Sequence, residues 1–179
     1  MMVSPKQHEV IKSLILDSFD YPGDVVEAGC NAGSTSGLLA TIVAGTGRQL
    51  CLFDSFEGLP AESGYAGAMA VDRERLELNV RQQLGNAELP SFVRIVEGWF
   101  LDTMPARLPD QIAFAFVDCD VYESAIDSLP SIIERLTGTL VVHDYTHERW
   151  GAGIRRAISD VGLKVDAVEG MAVWRAGKC

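Results

Sequence analysis

Several common signatures are missing from this sequence, and each absence narrows the field. The four cysteines, Cys30, Cys51, Cys119 and Cys179, form no C-x-x-C pair, which excludes a zinc-ribbon or thioredoxin-type motif. Three of them sit in or beside apolar runs and read as small buried hydrophobes. No apolar stretch reaches the ~18 residues of a membrane-spanning helix. The opening MMVSPKQHEV lacks the basic-then-apolar order of an export signal, so a reducing cytoplasm is the expected location. Positive charge is also scarce. Fifteen Lys and Arg face 25 Asp and Glu, a net charge of −10 that opposes binding to nucleic-acid backbones or anionic membranes. Repeats, low-complexity tracts and linkers are absent, so residues 1–179 read as one domain. A composition of 47% hydrophobic and 22% charged residues suits a globular chain that buries its own core.

What is present is an alternation. Val10, Ile11, Leu14, Ile15 and Phe19 have helical spacing over residues 5–19, and Tyr21-Pro22-Gly23-Asp24 makes a turn. Short apolar strands follow at 25–29, 49–53, 92–96, 112–117 and 138–142. They are separated by helices at 34–44, 72–84, a short one after Leu101, 122–136 and 150–161. Asp72 is placed to cap its helix, and Pro130 predicts a kink or two short pieces in 122–136. Residues 55–71 read as a long loop. At the end, 164–168 and 171–174 are joined only by Glu169-Gly170, which can link antiparallel strands but not parallel ones. The expected fold is α/β: a doubly wound, seven-stranded, mostly parallel sheet, Rossmann-like, closed by an antiparallel C-terminal hairpin.

Such sheets bind ligands at the C-terminal ends of their strands. After the first strand comes Glu27-Ala-Gly29-Cys-Asn31-Ala-Gly33-Ser34-Thr35-Ser36, a glycine turn leading into a helix, with free N–H groups and hydroxyls to hold an anionic group. After the second comes Asp54, about 20 residues on, where a nucleotide-binding sheet places the carboxylate that accepts from ribose hydroxyls. Asn31 occupies the position of the second glycine in G-x-G-x-x-G, which disfavours a dinucleotide and favours S-adenosylmethionine. Trp99, after the third strand, could flank an adenine ring. Asp118-Cys119-Asp120 ends the fourth strand and His143-Asp144 the fifth. In extended chain Asp118 and Asp120 share a side, so three carboxylates and an imidazole meet at one rim. Crowded acids need a cation, and oxygen ligands with one imidazole suit Mg²⁺, Mn²⁺ or another divalent ion. His8 and His147 read as surface residues.

Four segments then resemble the macrocin O-methyltransferase family: Leu52-Phe-Asp54-Ser55-Phe56-Glu-Gly-Leu-Pro60, Glu97-Gly-Trp99-Phe-Leu-Asp-Thr-Met-Pro105, Asp118-Cys-Asp120-Val-Tyr-Glu-Ser124 and His143-Asp144-Tyr145. The resemblance covers about residues 24–146. It implies a class I methyltransferase using S-adenosylmethionine and Mg²⁺ to methylate a hydroxyl of a natural product or its sugar. In that reading Glu27, Gly29 and Gly33 match the cofactor loop. Asp54 matches the ribose-binding acid, with Ser55 and Phe56 near the adenosine, and Asp118 and Asp144 match metal-binding acids. Asp120 matches the acid proposed as general base. The family usually has two acids where this chain has His143-Asp144, so His143 is either a metal ligand or a base, and the metal preference can move toward Mn²⁺, Fe²⁺ or Zn²⁺. Family members also carry additional N-terminal cover. Here residues 1–20 and loop 55–71 are the candidate lid, leaving a small acceptor, an open site, or completion by a partner subunit or a second copy in a homodimer. The competing readings are an NAD-dependent oxidoreductase, a metal-dependent hydrolase and a non-catalytic cofactor-binding subunit.

Overall fold

A computed structural model describes residues 3–177, so Cys179 lies outside the described residues. The first element, α1 (Pro5–Ser18), starts where the sequence says it should. Ser4 caps it, its Oγ accepting from the Gln7 N–H while Gln7 Oε1 accepts the Ser4 N–H, and Pro5 fills the first helical position. The turn that follows is tied down by Arg48, which donates to the carbonyls of Phe19, Tyr21 and Gly23.

The alternation then builds β1 (Asp24–Ala28), α2 (Ser34–Val43), β2 (Leu50–Asp54), α3 (Arg73–Leu84), β3 (Val93–Glu97), α4 (Phe100–Arg107), β4 (Ile112–Val117), α5 (Tyr122–Arg135), β5 (Leu136–Val142), α6 (Gly151–Asp160), β6 (Asp166–Val168) and β7 (Met171–Arg175). The seven strands form one sheet in the order β3-β2-β1-β4-β5-β7-β6. Strands β1 to β5 pair in parallel, and β7 runs antiparallel between β5 and β6. The expected doubly wound sheet with its antiparallel hairpin is the fold observed.

Side-chain alternation splits the core into two layers. Val26, Phe53, Ala115, Val117 and Leu140 face α4, α5 and α6 through Met104, Leu129, Ile132, Ile154 and Ile158. Val25, Leu50, Leu52, Phe114, Phe116 and Val141 face α1, α2 and α3 through Ile11, Ile15, Leu39, Val43, Leu76 and Val80. Every residue of β4 is buried, as its unbroken apolar run predicts for a central strand covered on both faces.

Local details depart from the sequence reading. Helix α5 is one continuous element. Pro130 is exposed, and on that side the carbonyl freed one turn back can be hydrated. Helix α4 starts at Phe100 rather than after Leu101 and contains Pro105. Asp72 stands at the N-cap of α3, but its side chain makes no capping bond. The long loop includes a 3₁₀ turn at Ala61–Ser63.

Candidate active site

The strand order reverses between β1 and β4, so the connections leaving these two strands diverge and open a crevice at their C-terminal ends. Ladder bonds run into that crevice: Gly29 N–H to Phe53 O at 2.9 Å, Asp118 N–H to Ala28 O at 2.8 Å, and His143 N–H to Val117 O at 2.8 Å. The positions of the candidate residues are therefore set by the sheet.

Gly29 has φ +84°, and a Cβ there would fall 2.0 Å from the Asp118 carbonyl oxygen, so only glycine lets the β1 and β4 ends approach this closely. Gly33, also at φ +84°, faces Leu76 of α3, and a Cβ there would meet the Leu76 side chain at 2.6 Å. Its contribution is the packing of α2 on α3. Asn31 between them lines the crevice in a left-handed conformation, φ +45°.

Asp54 closes the loop. Its Oδ2 accepts from the N–H groups of Cys30 (2.7 Å) and Asn31 (3.0 Å), and its Oδ1 from Phe56 (2.8 Å). A carboxylate has about four lone-pair positions, so acceptor capacity remains on the crevice side. Glu27 is buried, and the buried Ser36 hydroxyl donates to it at 2.5 Å. Ser36 thus turns inward, because its helical position faces β1, and does not offer its hydroxyl to a ligand. Burial raises the Glu27 carboxyl to about 8, with the charges of Asp118 and Asp54 adding to the rise and the Ser36 bond opposing it.

Two adjoining clefts share Gly29, Asn31, Met69, Asp118 and Asp120. One extends over Asp54, Ser55, Trp99 and Phe100, the other over Glu27, Ser34 and Thr35. Phe56 stays out of both. It lines a separate hollow with Val71, Asp72 and Arg75, because its left-handed backbone (φ +60°) turns it toward α3. Met69, from the long loop, lies over both clefts; no periodicity or motif marked it.

At the tips of β4 and β5 the acids gather as expected, though by a different route. Asp120 is not extended. It has φ +60° in a tight turn closed by the Val121 N–H on Cys119 O, and this turn carries Asp118 and Asp120 into the same clefts while Cys119 is buried. Burial first, then the charges of Asp118 and Asp144, raise Asp120 to about 7. His143 Nδ1 lies 3.0 Å from Asp118 Oδ1 and 3.1 Å from Asp144 Oδ1. Its Nε2 faces Gln7 Oε1 at 3.4 Å. Burial opposes charge on this ring, but the two carboxylates outweigh it and hold its pKa up at about 10. The cluster thus draws a positive charge, either a proton or a metal ion.

Asp118, His143 and Asp144 offer three donor atoms within 4.8 Å of one another. Nδ1 of His143 and Oδ2 of Asp144 are buried without hydrogen-bond geometry to any partner, and cis ligands of an octahedral ion at about 2.1 Å are about 3.0 Å apart. The residues fit a divalent cation. Asn31, Asp120 and Asp144 all have positive φ, which concentrates backbone strain at this rim.

The other two histidines are partly exposed, and His147 lies near the rim, lining a cavity with His143 and Asp144. His8 is half-buried, with Nε2 enclosed and its pKa lowered by burial, and His143 is close enough to add to that lowering. His147 Nδ1 accepts from the N–H groups of Arg149 and Trp150, both at 3.2 Å, and so holds the turn that leads into α6.

Residues 6–175 match the model of the macrocin O-methyltransferase (TylF) family. The chain belongs to the macrocin O-methyltransferase family. It is 36% identical over 141 residues, 69% of its length, to an 8-demethyl-8-(2,3-dimethoxy-alpha-L-rhamnosyl)-tetracenomycin-C 4'-O-methyltransferase of Streptomyces olivaceus. It is 34% identical over 161 residues, 80% of its length, to the demethyldecarbamoylnovobiocin O-methyltransferase of Streptomyces niveus. It spans 53% and 62% of the lengths of these two relatives. Among solved structures, the O-methyltransferase NovP is 26% identical with a TM-score of 0.83, over 98% of this chain and 81% of that one. The calicheamicin methyltransferase CalS11 shares the fold at a TM-score of 0.75 and 21% identity, over 98% of this chain and 82% of that one. Among the described residues, no helix is long and apolar enough to cross a membrane.

Proposed function

We propose that this chain is an S-adenosylmethionine-dependent, divalent-cation-assisted O-methyltransferase acting on a hydroxyl of a small natural product or of its sugar. One observation carries the reading. Asp118 and Asp120 line the same clefts as the glycine loop, one of which reaches Asp54, so two members of the acid cluster border that crevice, while His143 and Asp144 line a further cavity with Gln7 and His147. The relatives' activities, each an O-methylation on a natural-product scaffold or its sugar, support the acceptor class.

Bound S-adenosylmethionine would supply an electrophilic methyl group, and a cation on Asp118, His143 and Asp144 would lower the pKa of an acceptor hydroxyl. This chain's residues do the rest. Trp99 and Phe100 offer aromatic surface in the same cleft as Asp54, whose remaining lone pairs would accept from ribose hydroxyls. The α2 N-terminus, with Ser34 and Thr35, presents donors to a carboxylate. Asp120, lining both clefts beside Asp118, is the general base that takes the acceptor proton. His143 has one ring nitrogen toward the carboxylates and the other toward Gln7, which suits a ligand better than a base. Positioning a hydroxyl in line with a sulfonium provides most of the rate. Calorimetric titration with S-adenosylhomocysteine, first in chelator and then with a divalent cation, tests the reading. Saturable binding with further heat from the metal supports it, and no binding in either condition overturns it.

A further inference from the structure

The orientation of Gln7 determines what His143 can do, and this step rests on the cation-assisted reading above. Both ends of the Gln7 amide are assigned by backbone partners. Its Nε2 donates to the Glu169 carbonyl at 3.0 Å, and its Oε1 accepts the Ser4 N–H at 2.9 Å. The atom facing His143 Nε2 is therefore an acceptor oxygen, and the ring proton belongs on Nε2. In the neutral ring this leaves the Nδ1 lone pair on the side of Asp118 Oδ1 and Asp144 Oδ1, at 3.0 and 3.1 Å. Three electron-rich atoms in contact, with His143 and Asp144 both buried, call for positive charge between them, either a proton on Nδ1 or a metal ion.

We propose that His143 is an Nδ1 metal ligand, oriented by Gln7, and that this makes the site select a first-row transition dication such as Mn²⁺, Fe²⁺ or Co²⁺ over Mg²⁺. Imidazole nitrogen favours transition ions, whereas an all-oxygen set suits Mg²⁺. The nitrogen-to-oxygen spacings match cis positions of an octahedron at about 3.0 Å rather than the wider edge of a tetrahedral zinc site. Gln7 is a positioning residue, the partner of the ligand's second nitrogen. It reaches the site because the capping box fixes the first turn of α1 and the Lys6–Glu169 ion pair (2.9 Å) docks that turn on the β6–β7 connection.

The test uses the full chain, stripped with chelator and saturated with S-adenosylhomocysteine. Mn²⁺ and Mg²⁺ are titrated calorimetrically in competition, and pulsed electron paramagnetic resonance reads ¹⁴N coupling on bound Mn²⁺. The expected result is Mn²⁺ at least about tenfold tighter than Mg²⁺, with nitrogen coupling that His143→Asp abolishes while narrowing the preference. Gln7→Leu should weaken Mn²⁺ by about 10- to 100-fold, and Gln7→Glu, which keeps an acceptor oxygen, should retain it. Bound Mn²⁺ without nitrogen coupling, or with equal affinity for Mg²⁺, overturns this inference and leaves cation assistance standing. Failure of both ions to bind, with S-adenosylhomocysteine binding intact, overturns both.

Discussion

Tyr65 meets Trp150 edge to face, their ring centroids 4.9 Å apart, so the long β2–α3 loop is docked on the start of α6. Arg149 stacks over both rings, at 5.6 and 5.2 Å. The contact joins the loop after β2 to the segment after β5, and Met69 of the same loop lines both clefts. Loop 55–71 is thereby held beside the clefts, where the lid role expected of it would need it.

Tyr65→Ala should release the loop. An aromatic pair is worth about 0.5–1.5 kcal/mol, so amide exchange in residues 57–71 should speed up by about two- to tenfold while the core strands are unaffected. Exchange in the loop identical to that of the parent protein would refute the anchoring role.

Glu27 makes stability depend on pH in a specific direction. Its folded pKa of about 8 lies above the ordinary 4.5, so between these values the folded protein holds a proton that the unfolded chain releases. Its contribution is fully present below about pH 4.5 and is lost as pH rises through about 8, at no more than ~1.4 kcal/mol per pH unit. Glu27→Gln, neutral throughout, should melt above the parent at pH 9 and close to it at pH 5. Parallel melting curves across that range would contradict the buried-acid assignment.

Asp54→Asn tests the clamp on the glycine loop. The carboxylate accepts from three backbone N–H groups, whereas an amide offers a single acceptor oxygen and turns its own N–H₂ toward the remaining donors. A loss of about 1–3 kcal/mol in chemical denaturation is expected, together with weaker S-adenosylhomocysteine binding. A variant as stable as the parent would mean that the loop holds its shape unaided.

Asp120→Asn separates base chemistry from binding. Turnover should fall by about 10²- to 10⁴-fold, with affinity for S-adenosylhomocysteine unchanged. Retained turnover in Asp120→Asn would move the base role elsewhere.

The fold was readable because each parallel strand is a short, mostly apolar run closed within two residues by Gly or Asp, a pattern that few other architectures require. The acid rim followed from the same pattern, since Asp118, Asp120, His143 and Asp144 sit directly beyond β4 and β5. What escaped were contacts created only by tertiary packing. Gln7 reaches His143 across 136 residues of sequence, and its only local mark is a capping box, which announces a helix start and nothing more. Met69 carries no periodic signal. Ser36 resembles a ligand donor until the helix is built, when it faces Glu27. Asp118 and Asp120 were grouped correctly by an extended-chain argument, yet the chain achieves the grouping with a left-handed residue, because the strand has already ended.

The reversal of strand order between β1 and β4 also has an evolutionary consequence. Asp54 and the glycine loop come from β1, β2 and their loops, whereas Asp118, Asp120, His143 and Asp144 follow β4 and β5 on the other side of the reversal, with Asp118 and Asp120 meeting the first group in the cleft. The two inventories lie in different stretches of the gene. Under the proposed function, a lineage built on this plan can vary His143 and its surroundings while inheriting the glycine loop and Asp54 intact.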